Sequence, residues 1–386
     1  MYLVRKKFVL LTLMMLILSV TLGYGQANRQ LPQWALGGFK RPAGVNPVIS
    51  PNPKSDFSDP MTNKKVNWEI SDTFNPAAVV KGRKVIVLYR AEDSSGVRIG
   101  RRTSRIGYAS SKDGLQFSRQ ARPVVYPAND SQKNYEWPGG CEDPRVAVTE
   151  DGTYLMLYTQ WNRSIPRLAS ATSKDLKTWT KHGPIFEKAF NGRFLDFHSK
   201  SASVLTKVKG QKQVIIHLNG KYFMYWGERH VYAATSTNLI DWTPQLDDDG
   251  QLHKLASPRS GFFDSDMTEC GPPAVMTANG VVLLYNGRNK SGKDGDPRFN
   301  AGAYCAGQML FDKNDPTKLI DRLEVPFFRP MEPFEKKGQY ASGTVFVEGL
   351  TWFKGKWLMY YGCADSKVGV AIYDPKKPSP PDPVID

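Results

Sequence analysis

Apolar residues along this chain come in short, tight runs, not at helical spacing. Val85-Ile86-Val87-Leu88-Tyr89, Tyr154-Leu155-Met156-Leu157-Tyr158, Val281-Val282-Leu283-Leu284-Tyr285 and Trp357-Leu358-Met359-Tyr360-Tyr361 are rich in β-branched and aromatic side chains, and Gly, Asn or Asp bound them. Runs of this length and composition predict strands. No convincing amphipathic helix interrupts them, so the chain is expected to be all-β.

A repeat underlies the runs. Ser110-Ser111-Lys112-Asp113-Gly114-Leu115-Gln116-Phe117 returns as Thr172-Ser173-Lys174-Asp175-Leu176-Lys177-Thr178-Trp179 and again as Thr235-Ser236-Thr237-Asn238-Leu239-Ile240-Asp241-Trp242, at intervals of 62 and 63 residues. Met309-Leu310-Phe311-Asp312 and Ala371-Ile372-Tyr373-Asp374 are weaker echoes, again 62 apart. A sheet that cannot bury both faces alone, repeated at this period, predicts a five-bladed β-propeller over residues 26–375. Phe39 to Ser50 is expected to supply a strand or cover that closes the ring, and the Pro-rich tail 376–386 to be extended. The in-phase Trp179 and Trp242 are expected to pack the blades.

Arg5, Lys6 and Lys7 before the apolar run Phe8 to Leu22 predict a secretory signal peptide over 1–25, and hence an exported, periplasmic or secreted protein without stable membrane insertion. Removing it lowers the net charge from +15 to +12, since it carries three cations and no acid. The basic residues are spread out, without a stripe or a nucleic-acid-binding module. The four cysteines form no CxxC pair, and export permits disulfides without demanding them. Five scattered histidines give no metal site, and no cofactor motif is found.

Chemistry is most concentrated in Gly139-Gly140-Cys141-Glu142-Asp143-Pro144-Arg145. Glycines free the backbone, Pro144 is expected to bias Asp143 toward an extended conformation, and Arg145 is near enough to tune the acid. A polar hairpin turn would read the same. Other polar breaks in the strand pattern recur about once per repeat: Asn75-Pro76, Arg90-Ala91-Glu92-Asp93, Arg167, Lys200, Trp226-Gly227-Glu228, Glu269-Cys270-Gly271-Pro272-Pro273 and Gly362-Cys363-Ala364-Asp365.

Asn75-Pro76-Ala77, Tyr89-Arg90-Ala91, Ile106-Gly107-Tyr108-Ala109, Glu142-Asp143-Pro144-Arg145, Gly220-Lys221-Tyr222, Gly271-Pro272-Pro273, Asp315-Pro316-Thr317-Lys318 and Tyr361-Gly362-Cys363-Ala364-Asp365 follow in this order. The chain thereby resembles glycoside hydrolase family 130, the mannoside phosphorylases and β-1,2-mannosidases, from about residue 40 to 375. The resemblance implies a five-bladed propeller acting with inversion on a mannose-containing oligosaccharide. It marks Asp143 as general acid, reaching the glycosidic oxygen through a hydroxyl of the bound mannose. Asn75, Arg90, Asp93 and Asp365 are implied to hold that sugar.

The chain departs from the phosphorylase pattern at two places. A basic His-Arg pair is expected after the Gly-Lys-Tyr strand, where this chain reads Phe223-Met224-Tyr225-Trp226-Gly227-Glu228; before Gly-Pro-Pro it has Glu269 in place of a small residue. Carboxylates repel a phosphate dianion and can take a proton from water, so hydrolysis is expected, with Asp143 as acid and Glu228, Glu269 or both as base. Arg145, Arg167 and Lys200 are candidate anion or substrate contacts, and the last two keep a phosphorylase reading open. A non-catalytic glycan-binding propeller, with Trp137, Trp161 and Trp226 as stacking platforms, is the remaining alternative.

Overall fold

A computed structural model describes residues 31–379; the expected signal peptide and residues 380–386 of the tail lie outside the described residues. The architecture is all-β, and the only α-helix among the described residues is the single turn Lys133–Glu136. Strands follow one another as antiparallel meanders. The first comprises Asp72–Lys81, Lys84–Glu92, Ser104–Ser111 and Ser118–Arg119. The second comprises Gly140–Val148, Tyr154–Trp161, Pro166–Ser173 and Thr180–Pro184. The third is built on Ala202–Lys209, Lys221–Trp226, Tyr232–Ser236 and Thr243–Pro244. In the fourth, Met267–Cys270 and Ala274–Met276 both pair with Val281–Arg288, followed by Tyr304–Phe311 and Leu319–Arg322. The last comprises Val345–Phe353, Lys356–Cys363 and Lys367–Tyr373, and Lys40 and Ile49 bridge to its outer strand at Ile372 and Val368.

Parallel contacts join neighbouring meanders at Ser104–Gly140, Leu205–Ala274 and Tyr304–Thr344. The last meander also reaches the first: a Cβ on Gly349 would lie 2.8 Å from Pro76 O and 3.0 Å from the Ala78 Cβ. Each sheet is thus covered on both faces by its neighbours. That is why the second strands are buried almost end to end and read as continuous apolar runs instead of alternating ones.

A tyrosine lies near the end of each of those four strands and of Lys221–Trp226. Tyr89, Tyr158, Tyr225, Tyr285 and Tyr361 sit opposite Gly107, Ala169, Ala233, Gly307 and Gly369, whose small size leaves room for the ring. Four of the five hydroxyls donate to a buried acid: Tyr89 to Glu69, Tyr158 to Glu136, Tyr285 to Asp264 and Tyr361 to Glu335. Each acid also pairs with a cation, from Arg119, Lys181, Arg322 and Arg41 respectively. Tyr225 donates to the Pro316 carbonyl instead.

The sequence repeat is a turn held by its own side chains. Ser111, Ser173 and Ser236 accept through Oγ from the backbone N–H three residues on, while Asp113, Asp175 and Asn238 accept from two successive N–H groups. Asp312 repeats the second half of this pattern. Trp179 and Trp242 donate Nε1–H to Leu176 O and Leu239 O, and pack against the hydrophobic interior. All four cysteines are buried and unpaired.

Candidate active site

The acid segment is not a hairpin turn. It lies inside the strand Gly140–Val148, where the register slips between Glu142 and Arg145. Pro144 has no N–H to give the ladder, so the strand bulges there. Asp143 takes φ 49°, in the left-handed region, and not the extended conformation expected before a proline. Asp is among the few side chains that tolerate this region, because it is short and polar. The first strands of the first and last meanders slip in the same way, around Asn75 (φ 46°) and Glu348. Gly140 is required beside it: with φ 107°, its Cβ would lie 2.1 Å from Ser104 O.

The bulges bring distant residues onto one carboxylate. Asp143 Oδ1 accepts from Asn75 Nδ2 at 2.9 Å and from Arg90 Nη1 at 3.0 Å, and Lys200 Nζ lies 3.4 Å from Oδ2. Arg90 also donates to Glu142 (2.8 Å) and Glu92 (2.6 Å), so one buried guanidinium serves three acids. On the far side, the backbones of 200–201, 227–228 and 268–270 are knit together. Gly227 N donates to the Lys200 and Ser201 carbonyls, Thr268 N to Glu228 O and Cys270 N to Gly227 O. Lys200, Glu228 and Glu269 are thereby gathered. Ser201 donates to Glu269, and His198 Nε2 lies 3.0 Å from Glu228 Oε2. Asp365 follows Ala364 in a tight turn with φ 47° and 50°, and interacts electrostatically with Arg90, Asp143 and Glu269.

Electrostatics divides these acids. Burial would push Asp143 up, but Arg90, Lys200, Arg145 and the Asn75 hydrogen bond outweigh it and hold the carboxyl well below its usual range. Burial pushes Glu142 up to about 7, with Arg90 opposing and Asp143 adding repulsion. Burial and then repulsion from Glu228 take Glu269 to about 7. Burial, opposed by Arg90, takes Asp365 to about 7. Glu228 goes the other way: burial would raise it, but the His198 hydrogen bond and Lys200 lower it. Burial would lower Lys200, yet Asp143, Glu228, Glu142 and Glu269 together raise it. Seven carboxylates, Glu92, Glu142, Asp143, Glu228, Glu269, Glu348 and Asp365, interact here with three cations, Arg90, Arg145 and Lys200.

Four expected substrate contacts are already engaged by the protein itself. Trp226 is fully buried against Phe186, Phe197 and Tyr232, and its indole N–H donates to Ala233 O, so no face is open to a sugar. Arg167 is held by Asp196, the Leu195 and Ile165 carbonyls and the ring of Tyr135. The Asp93 carboxylate is engaged by Arg105 at 2.8 Å and by Ser95. Arg145 is buried beneath the acid, donating to the carbonyls of Asp143, Cys270 and Gly271. Conversely His198, Ser201 and Glu348 join the cluster without having been expected, and Glu92 joins it from the polar break 90–93 without having been given a role. Glu348 carried a visible signal, as the one charge in the apolar run 345–350.

The family model described as beta-1,4-mannooligosaccharide phosphorylase, that of glycoside hydrolase family 130, matches residues 46–377. The chain belongs to glycoside hydrolase family 130. The family acts on β-1,2- and β-1,4-mannosides. The 1,2-beta-oligomannan phosphorylase of Thermoanaerobacter sp. (strain X514) is 30% identical over 322 residues, 82% of this chain and 94% of that protein. Solved structures include relatives of much higher identity. A glycosyl hydrolase from Bacteroides ovatus is 63% identical with a TM-score of 0.91, covering 92% of this chain and 99% of its own. Another, also 63% identical, has a TM-score of 0.90 over 92% of this chain and 98% of its own. It is described by the words "The GH130 family of mannoside phosphorylases contains glycoside hydrolases that target beta-1,2 mannosidic linkages in Candida mannan". In this family frame, Asp143 of the Glu-Asp-Pro-Arg segment contacts both Arg90 and Lys200, and Lys200 also interacts with Glu228 and Glu269.

Proposed function

We propose that this family 130 chain is an exported, inverting β-1,2-mannosidase, and that its meanders are the five blades of a propeller. The observation that carries the hydrolytic reading is the pair Glu228 and Glu269 gathered with Lys200, whose ammonium also reaches Asp143. A phosphate dianion meeting these carboxylates is opposed by about 4 kcal/mol for each unit-charge pair at ~4 Å and an effective dielectric of ~20. Water meets no such barrier. The two relatives at 63% identity, described as a glycosyl hydrolase and in terms of glycoside hydrolases, support the same reading.

In the reaction, Glu228 takes a proton from a water whose oxygen attacks C1 from the face opposite the leaving group. The C1–O bond breaks as the leaving oxygen receives a proton from the Asp143 side, through a mannose hydroxyl. Glu228 suits the base because it is ionised and its side chain is about one-quarter exposed. Glu269, fully enclosed and raised to about 7, tunes it. Asp143 and Glu142 share the Arg90 guanidinium and titrate as a pair that keeps one proton up to about 7. Sugar binding must move that proton onto Asp143. Inversion asks for roughly 6.5 to 9.5 Å between acid and base. NMR of the first-formed product from β-1,2-mannobiose tests the stereochemistry: α-mannopyranose is expected, and β-mannopyranose contradicts it. Asp143→Asn is expected to lower kcat by about 10²- to 10⁴-fold, and an unchanged rate overturns the acid assignment.

A second reading, phosphorolysis releasing mannose 1-phosphate, is favoured by the Lys200 ammonium at the centre of the site and by the 30% identical phosphorylase.

A further inference from the structure

Residues 338–340 run along the turn that carries Asp365. Tyr340 N donates to Ala364 O at 3.3 Å, and Gln339 N to Ser366 Oγ at 3.3 Å. The approach is so close that a Cβ on Gly338 would lie 2.4 Å from Ala364 O. The turn needs support, because two successive residues with side chains, Ala364 and Asp365, occupy the left-handed region.

The Gln339 side chain adds a bridge. Its Nε2 donates to Asp365 O at 2.9 Å, and its Oε1 accepts from Ile99 N at 2.8 Å. A carbonyl on one side and an N–H on the other fix which way the amide points. Ile99 belongs to the connection 93–103 of the first meander, and the next residue, Gly100, accepts from Trp161 Nε1 of the second at 3.1 Å. Trp161, Gly100-Ile99, Gln339 and Asp365 therefore form a continuous strap joining the second, first and last meanders.

We propose that Gln339 is a positioning residue, which sets the Asp365 carboxylate for the bound mannoside through its Nε2–H donation to the Asp365 carbonyl. This rests on the reading of Asp365 as a sugar ligand. A strap that only staples loops would lower thermal stability and leave the kinetics alone.

The test compares full-length Gln339→Ala, Gln339→Glu and Asp365→Asn, and the double variant Gln339→Ala/Asp365→Asn, on β-1,2-mannobiose. Asp365 holds the sugar in ground and transition states alike, so Gln339→Ala is expected to raise KM at least about tenfold with kcat changed less than about threefold. Gln339→Glu keeps the acceptor for Ile99 but loses the donor to Asp365, so it should match Gln339→Ala. The double variant should be no worse than Asp365→Asn alone, because the two residues act in series. Wild-type kinetics in Gln339→Ala with a lowered Tm, or full recovery in Gln339→Glu, overturns the proposal while Asp365→Asn remains impaired. A silent Asp365→Asn instead removes the sugar-ligand reading itself, and the proposal with it.

Discussion

Arg145 Nη1 lies 2.9 Å from Glu348 Oε1, and neither side chain reaches solvent. The same guanidinium donates to the carbonyls of Asp143, Cys270 and Gly271, so it ties the strand of the acid to the strand of Glu269. Glu348 is the acidic side chain that faces this buried cation. Burial pushes the Glu348 carboxyl well above its usual range, although Arg145 opposes this. Removing the Glu348 carboxyl leaves the buried Arg145 without this polar partner, at a cost of about 1–3 kcal/mol. Glu348→Ala is therefore expected to be destabilised by about that much in urea unfolding. A loss under about 1 kcal/mol would show that Arg145 does not need its partner.

The pH dependence of kcat/KM should be bell-shaped and displaced to the acid side. The base Glu228 is held below the usual carboxylate range, so its limb falls only at pH values under about 4.5. The proton that burial keeps on Glu142, beside Asp143, is lost at about 7, which sets the other limb. A pH–rate series checks this. An acid limb near 7 would instead make Glu269 the base, since that carboxyl is raised to about 7.

Glu269 also predicts a stability effect with a definite sign. Its pKa in the folded protein is raised from 4.5 to about 7, so between those values the folded state binds more protons than the unfolded one. Stability contributed by this group is present below about 4.5 and lost as pH rises to 7, by at most about 3 kcal/mol. Glu269→Gln should accordingly raise Tm at pH 8 more than at pH 5. Equal shifts at both pH values would contradict the raised pKa.

The tyrosine ties are structural and separable from catalysis. Tyr285→Phe removes a donor to Asp264, which keeps Arg259 and Arg322. A loss of about 1–3 kcal/mol is expected, with kcat and KM unchanged. A tenfold change in KM would show that the ties reach the site.

The strands were legible because sheets covered on both faces must be apolar end to end, as in Val85–Tyr89. The repeat was legible because a Ser-x-Asp or Ser-x-Asn turn bonds its own backbone and leaves a fixed local pattern at 111, 173 and 236. Asp143, Asn75, Arg90 and Lys200 were found as polar breaks in that pattern. Their chemistry was not, because Asp143 is governed by Arg90, 53 residues away, and by Lys200 more than by the adjacent Arg145. Trp226 looked available beside Gly227-Glu228, but strand alternation turns its side chain into the blade while the backbone continues to the site. For Arg167 and Asp93 the sequence did not disclose that Asp196 and Arg105 already pair with them, because those partners come from elsewhere in the chain. The tyrosines closing each apolar run stood in plain view, yet their acids come from other connections, so nothing local announced the ties.

The central claim is that water, and not phosphate, attacks the mannoside. Incubating the chain with β-1,2-mannobiose with and without 10-fold excess phosphate, and separating the products, tests it directly. The account predicts free mannose at equal rates in both tubes, because the ionised Glu228 serves water and repels the dianion. Mannose 1-phosphate formed only in the tube with phosphate, with no mannose in the other, would contradict it.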